Sequence, residues 1–173
     1  LGMIGRMIGA ARLRPQTFEE VEADSSATRQ ALLVVLLVGL ATGVGSLGVG
    51  GVRGLIGGVA IALVGWALWA GITYLIGSTL FRTAETHASW GQLARTLGFA
   101  QSPGIFKVFG LIPVVGQVIF VAVSVWQLAA MVVAIRQALD YTSTWRAIGV
   151  AVVGFIPYAL LYVLLLRLLA ALL

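Results

Sequence analysis

The sequence predicts an all-α protein whose helices cross a lipid bilayer several times. Hydrophobic residues make up 60% of the 173 residues, and charged residues only 10%. Ordinary soluble domains contain about 25% charged residues. The charges are also unevenly placed, because four long stretches of the chain contain none. A soluble domain of this length could not bury so much apolar surface, so most of the chain must be solvated by lipid.

Four uncharged stretches are each long enough to form a membrane-spanning helix. They contain 23, 28, 28 and 20 residues, and about 20 residues suffice to cross the hydrocarbon core. They lie between Arg29 and Arg53, Arg53 and Arg82, Lys107 and Arg136, and Arg146 and Arg167. The spans predicted within them cover residues 31–47, 55–80, 114–139 and 147–169.

The segment 91–112 admits two interpretations. Ser89 and Gln92 have the spacing of a capping box, which predicts that a helix begins there. Pro103 interrupts this helix and suits the first turn of a second short helix, which would end at Pro113. As a span broken near Pro103, the segment gives five crossings. As an interfacial helix, it gives four.

The basic residues indicate an orientation but do not choose between these two topologies. With five spans and a cytoplasmic N-terminus, eight basic residues lie inside and three outside. The inside set is Arg6, Arg12, Arg14, Arg29, Arg82, Arg95, Arg136 and Arg146, and the outside set is Arg53, Lys107 and Arg167. With four spans, Arg136 and Arg146 exchange sides with Lys107 and Arg167, and the division is again eight to three. Both topologies place the N-terminus in the cytoplasm. Because the basic residues flank apolar runs, we expect lipid headgroups as their partners and no nucleic acid.

Residues 1–28 are predicted to form a cytoplasmic segment outside the bilayer. Apolar residues recur there at helical spacing, at Ile4, Met7, Ile8 and Ala11. With neighbouring arginines, this pattern is typical of a short amphipathic helix that lies on an anionic leaflet. Thr17 and Glu20 have the spacing of a second capping box. They predict a helix that continues without interruption into the first span.

The chain offers few groups for catalysis or for holding a cofactor. It has no cysteine and one histidine, His87, which falls in the polar linker after the second span. No nucleophile–base–acid set can be built from these residues. All six acidic residues fall outside the predicted spans, which disfavours ion-coupled transport. We therefore expect a non-enzyme without metal or cofactor, to which structural lipids can bind.

Small residues recur at four-residue intervals in the first two spans. This spacing places them on one helix face, where two helix backbones can approach closely. They are Gly39 and Gly43 in the first span, and Gly50, Gly54, Gly58 and Ala62 at the start of the second. A seam between these two spans is favoured over a contact with a partner subunit or a second copy.

Three polar residues fall within the span 114–139, namely Gln117, Ser124 and Gln127. An amide in hydrocarbon requires a hydrogen-bond partner, so a structural tie between spans is favoured over a substrate site. Trp90, Tyr141 and Trp145 fall at predicted span ends. Aromatic side chains at such positions are interpreted as interfacial anchors.

A set of short motifs, taken in order, resembles a known family. The motifs are PxTFEE at 15–20, RTLGF at 95–99, SPGIF at 102–106, LIPVVG at 111–116, VWQL at 125–128, AIRQAL at 134–139 and RAI at 146–148. Together they resemble the Yip family of membrane proteins, named for Ypt/Rab-interacting proteins, and in particular its bacterial branch. The resemblance implies five spans with 91–112 as the third. It also implies a cytoplasmic N-terminus and a C-terminus on the opposite side.

The resemblance implies little about activity. Eukaryotic Yip members are linked to Rab-type GTPases through longer cytoplasmic N-terminal regions, and the bacterial branch has no agreed activity. The leading hypothesis is a non-catalytic structural or adaptor protein, an accessory subunit of a larger complex in the bacterial inner membrane. One alternative is a small pore, transporter-like or lipid-handling protein. Another is a membrane anchor that recruits a soluble partner through its N-terminal segment.

Overall fold

The computed structural model describes residues 2–172, apart from the side chains of 48–50, 52–54 and 169–172. Its α-helices are α1 Met3–Ala11, α2 Pro15–Ala23, α3 Ala27–Gly45, α4 Leu47–Thr79, α5 Trp90–Ala100, α6 Val115–Ala138 and α7 Thr144–Leu172. A 3₁₀ helix, Ser102–Leu111, follows α5. The described residues contain no strand, so the all-α prediction is confirmed.

Four helical stretches are long and apolar enough to cross a membrane. They are Ala27–Gly45, Leu55–Thr79, Val115–Ala138 and Thr144–Leu168. These stretches correspond to the four uncharged stretches of the sequence. α4 bends before its spanning part, at Gly51, whose φ of 57° and ψ of −164° form a combination essentially restricted to glycine.

The helices are arranged as a ring. α3 packs on α4, α4 on α7, α7 on α6, and α6 on the 3₁₀ helix, which packs back on α3. α5 enters this ring at one end and contacts α3, α4 and α6. Its residues Leu93, Ala94, Leu97 and Phe99 are fully buried. That end of the bundle is therefore filled.

α5 and the 3₁₀ helix run beside α3 and in the same direction. The Cβ position of Gly98 lies 2.8 Å from Ala31 Cβ, near the start of α3. Further along, the Cβ position of Gly110 lies 2.9 Å from the carbonyl oxygen of Gly45, at the end of α3. The two short helices thus accompany α3 over most of its length. The capping box predicted at Ser89 is present: its side chain accepts from Gln92 N, and Gln92 Oε1 accepts from Ser89 N.

The N-terminal helices form a hairpin that packs on the bundle. α1 lies against α2, with Gly9 in contact with Thr17, and α2 packs on α5 and α6. Two expectations for this region were wrong. α2 begins at Pro15 and its start has no side-chain cap, so Thr17 caps nothing. The chain is also interrupted between Ala23 and Ala27, because Asp24 is extended and its carboxylate accepts from Ser26 N.

Candidate functional site

A buried amide pair joins α6 to the end of α5. Gln127, only 5% exposed, donates from Nε2 to Gln101 Oε1 at 2.8 Å and to the Gln101 carbonyl oxygen at 3.1 Å. The Gln101 carbonyl lies where α5 ends and also accepts from Gly104 N at 2.7 Å. The side chain from α6 therefore adds a second donor to this carbonyl and binds the Gln101 side chain.

α5 ends at Ala100, and the 3₁₀ helix begins at Ser102. Pro103 occupies the first turn of the 3₁₀ helix, where its missing N–H costs nothing. The Cβ position of Gly104 coincides with Gln127 Nε2 and Val38 Cγ1. A larger residue at this position would displace the side chains of Gln127 and Val38, by which α6 and α3 meet the 3₁₀ helix.

A cavity of about 840 Å³ lies beyond this amide pair, between α3, α4, the 3₁₀ helix, α6 and α7. Most of its wall is apolar, and the polar groups in it include Gln101, Gln127, Ser124, Lys107 and Tyr158. At one end the cavity reaches Trp66, whose Nε1 donates to Ala94 O at 2.9 Å. The packed residues of α5 therefore close this end.

The cavity is open towards the lipid between α6 and α7. Leu128 on α6 and Val152 and Phe155 on α7 all line it. These side chains are nevertheless 61%, 62% and 61% exposed. Residues that line a cavity and remain so exposed do not seal it. A molecule in the bilayer can therefore enter the cavity laterally, between α6 and α7.

Ionisable groups are divided unequally between the two ends of the bundle. Arg95 donates to Glu22 O at 2.6 Å, Tyr141 to Gly77 O at 2.7 Å, and Arg146 to Phe81 O at 3.3 Å. These bonds bring α2 and the loops after α4 and α6 to one end, which we call the acidic end. All six acidic residues fall in or next to these segments. Arg53, Lys107 and Arg167 belong to the opposite end, and none of the six acidic residues of the sequence does.

Lys107 is the cation of the cavity wall. It is half-buried, and its Nζ lies 4.7 Å from the centroid of the Phe120 ring. No acidic residue occurs between residues 86 and 139, and the ion pairs among the described residues involve Arg6 instead. The aromatic face is therefore the compensation that the protein gives this ammonium group.

At the acidic end, Arg6 ties α1 to α2. Its guanidinium is 7% exposed and lies 2.7 Å from Asp24 Oδ2 and 3.1 Å from Glu20 Oε1. Burial alone would lower the pKa of Arg6, but the bonds to Asp24 and Glu20 outweigh it and raise the pKa. The pKa of Asp24 falls to about 2, first because Ser26 donates to it and then because of Arg6. The periodicity of α1 did not indicate this role for Arg6. The four-residue spacing of Glu20 and Asp24 was the available signal.

Glu22 lies in the contact between α2 and α5. Its Oε1 accepts from Gln92 Nε2 at 2.9 Å. Burial, and after it the nearby Asp140, raise its pKa to about 7 against the opposing effect of Arg95.

The predicted small residues occupy different environments. The Cβ position of Gly39 lies 3.2 Å from Ala62 Cβ, and that of Gly43 lies 3.3 Å from Leu55 Cα. α3 and α4 therefore approach closely at both sites. Gly58 has nothing within 4 Å of its Cβ position and lines the cavity. The side-chain positions of Gly50 and Gly54 lie outside the described residues.

The other predicted polar and aromatic residues are dispersed. Ser124 donates to Phe120 O in its own helix at 2.8 Å. Gln117 lies apart from Gln127, at a smaller hollow that Pro113 also lines. Trp145 is 80% exposed, Trp90 is 43% exposed, and Tyr141 is only 4% exposed. Tyr141 thus ties α4 to the turn after α6, whereas Trp145 is free to meet lipid.

These features define a polytopic helical membrane protein built around a lateral cavity. The described residues contain no cluster of His, Cys, Asp and Glu that could hold a metal ion. Residues 11–166 match the Yip1 domain, and the chain therefore belongs to the Yip1 domain family of membrane proteins. This family is not known as a family of enzymes. No curated protein and no solved structure matches the chain.

Proposed function

We propose that this protein is a non-catalytic accessory or adaptor subunit of a larger complex in the bacterial inner membrane. One observation carries the proposal. Apart from Lys107, the strongly polar side chains described inside the bundle are used in internal ties, as at Gln127 and Arg95. What the bundle offers to its surroundings is mainly apolar helix surface.

The outer face of α6 is the best example of such surface. Val118, Val121, Val125 and Leu128 follow one another at intervals of three and four residues and are each more than 60% exposed. They form a single stripe along the helix. In a bilayer this stripe contacts either lipid or a helix of another subunit, and dispersion contacts suffice for the latter.

Five crossings are part of this proposal, with α5 and the 3₁₀ helix together as the third. The 11 residues of α5 and the 10 residues of the 3₁₀ helix have a combined length of about 36 Å. The hydrocarbon core is about 30 Å thick. Their course beside α3 supports a crossing in the same direction as α3, from a cytoplasmic N-terminus. The C-terminus then lies on the opposite side.

The two alternative functions are an aqueous pore and the recruitment of a soluble partner. An aqueous pore is not supported, because Leu93, Leu97 and Phe99 fill the acidic end of the bundle. Recruitment of a soluble partner would have to use the outer surface of the N-terminal hairpin, where Ile4 is 70% exposed. The inner surface of that hairpin is already engaged, since Trp126 Nε1 donates to Ala11 O at 2.7 Å.

The accessory role is tested by extraction of the native protein in a mild detergent, followed by mass determination and identification of co-migrating proteins. We expect a stoichiometric complex that contains other integral membrane proteins. Migration of the protein as a free monomer or a small homo-oligomer would contradict the proposal.

A further inference from the structure

We propose that the lateral cavity binds one anionic phospholipid, with an acyl chain inside the cavity and its phosphate on Lys107. This inference does not depend on the accessory role, because it concerns a site within a single chain. It rests on the shape of the cavity, on its charge, and on the level at which Lys107 lies.

The cavity has the size and lining of a site for an organic ligand. Its volume of about 840 Å³ falls within the range of about 300–1,000 Å³ that small-molecule sites occupy. Water is a poor occupant, because apolar cavities tend to stay dry. The opening between α6 and α7 leads into the hydrocarbon region, and the apolar molecules available there are lipid chains.

The positive charge of Lys107 in the cavity wall favours a lipid with an anionic headgroup. Lys107 lines the cavity near the end of α3, where its backbone carbonyl contacts Gly45. An ammonium group in surroundings of low dielectric is costly without an anionic partner. The opposite end of the bundle supplies no carboxylate. A lipid phosphate at the membrane surface can provide that anion and also carry a chain into the cavity.

Two aromatic side chains of the cavity, Tyr158 and Tyr162, suit the same ligand. Tyr158 lies on α7 with its hydroxyl 2.9 Å from the Cβ position of Gly65 on α4. None of the described residues forms a hydrogen bond with this hydroxyl. The ring of Tyr158 stacks on Tyr162, with centroids 5.7 Å apart. The two rings provide a flat wall for an extended chain.

The test uses the full-length protein purified in detergent, with bound lipid counted by native mass spectrometry during titration. The probes are phosphatidylglycerol, phosphatidylcholine of the same chain length, and glycerol 3-phosphate, which has the anionic group without chains. We expect one tightly bound phosphatidylglycerol per chain and weaker binding of phosphatidylcholine. Displacement of the lipid by glycerol 3-phosphate at equal concentration would overturn the proposal, since it would indicate a site for a soluble phosphate.

Substitution of Lys107 tests the headgroup contact. We expect Lys107→Gln to weaken phosphatidylglycerol binding by about tenfold or more, as for the loss of a charge-assisted bond. Phosphatidylcholine binding should change little, and Lys107→Arg should retain the preference. Arg167→Gln is the matched control, because it removes a cation from the same end without changing the cavity wall. Equal effects of Lys107→Gln and Arg167→Gln on phosphatidylglycerol would overturn the assignment of Lys107.

Two adjacent glycines test the position of the chain. Gly57 and Gly58 both have free space at their Cβ positions, but only Gly58 lines the cavity. Gly58→Leu should therefore remove the tightly bound lipid, while Gly57→Leu should retain it. Retention of the lipid by Gly58→Leu would overturn the proposal, and an unchanged helical circular-dichroism spectrum shows that this variant is folded.

Discussion

At the scale of single residues, the surroundings of each glycine decide what a methyl group would do there. The Cβ position of Gly45 coincides with the carbonyl oxygen of Lys107, whereas that of Gly57 has nothing within 4 Å. We expect Gly45→Ala to lower the free energy of unfolding by more than about 2 kcal/mol, because backbone atoms cannot rotate away. Gly57→Ala should be neutral or stabilise by up to about 1 kcal/mol, through helix propensity.

Unfolding in mixed micelles of SDS and a mild detergent measures both glycine variants on one scale. The contrast between them is the informative quantity, because the two substitutions add the same atoms. Equal stability of Gly45→Ala and Gly57→Ala would contradict the close approach of the 3₁₀ helix to α3.

Gln127 provides a second prediction at this scale. Gln127→Leu removes both hydrogen bonds that Gln127 Nε2 donates to Gln101, and the Gln101 side-chain oxygen loses its donor. The Gln101 carbonyl keeps its bond from Gly104 N. We expect a loss of about 0.5–1.5 kcal/mol, the net contribution of a typical intramolecular hydrogen bond. Ser124→Ala is the control, because Ser124 bonds only within its own helix. A loss for Ser124→Ala as large as for Gln127→Leu would remove the special role of Gln127.

The sequence could identify Gln127 but not its partner. A single amide in an apolar run must find a hydrogen bond, and this argument requires no structure. Gln101 lies 26 residues away in another helix, and no periodicity relates the two positions. Lys107 was predictable as a cation near a span end. Its place in a cavity wall depends on how five helices meet, which a single helix pattern does not encode.

At the scale of elements, the number of crossings depends on whether α5 and the 3₁₀ helix together cross the membrane, as proposed above. We expect a single cysteine at Val114 to react with a membrane-impermeant thiol reagent from outside intact cells, and one at Thr142 to react only after lysis. Val114 suits this purpose because it is 92% exposed. It is also the centre of a tight turn, with a φ of 69° and a 2.7 Å bond from Val115 N to Pro113 O. The natural chain contains no cysteine and serves as the blank.

The reverse labelling pattern, with Thr142→Cys reactive outside and Val114→Cys protected, would indicate four crossings. Sequence reasoning without the family resemblance could not choose, because the two topologies divide the basic residues equally. The four longer spans were predictable from their uncharged lengths alone. α5 was harder to interpret, because it is short and combines a buried apolar face with a charged residue. That residue, Arg95, donates to backbone carbonyls of α2.

The N-terminal hairpin gives a second prediction for an element. Arg6→Gln should loosen α1, because the carboxylates of Glu20 and Asp24 would lose their contact with the buried guanidinium. We expect faster hydrogen–deuterium exchange at the amides of Met3–Ala11. Arg12→Gln is the control, since Arg12 is exposed. Unchanged exchange in Arg6→Gln would contradict a stabilising role for this ion pair.

At the scale of the whole molecule, the two ends have different chemistry. The acidic end is closed by packed side chains and held by bonds between α2, α5 and the loops. The opposite end is cationic, and its Lys107 lines the cavity. The composition of the sequence indicates a membrane protein but not this polarity. The polarity appears only when the topology gathers the acidic segments at one end.

The acidic end should make stability depend on pH, through Glu22. Its pKa is raised to about 7 in the folded protein, above the ordinary value of about 4.3. The folded state therefore holds this proton more tightly than the unfolded state. The resulting stabilisation is fully present below the unfolded pKa and is lost as the pH rises through about 7. Asp24, with its pKa lowered to about 2, is already ionised in both the folded and the unfolded state over this range. It therefore adds nothing to the dependence of stability on pH.

We therefore expect the detergent unfolding midpoint to be higher at pH 5 than at pH 8, and the difference to shrink in Glu22→Gln. The amide can still bond to Gln92 and carries no charge at either pH. Glu85→Gln, at an exposed position, should keep the full difference. If Glu22→Gln and the natural chain respond equally to pH, the buried carboxyl between α2 and α5 is not the group that titrates. In the expected case, the contact between the N-terminal hairpin and the bundle weakens near neutral pH, because ionised Glu22 is partly desolvated there.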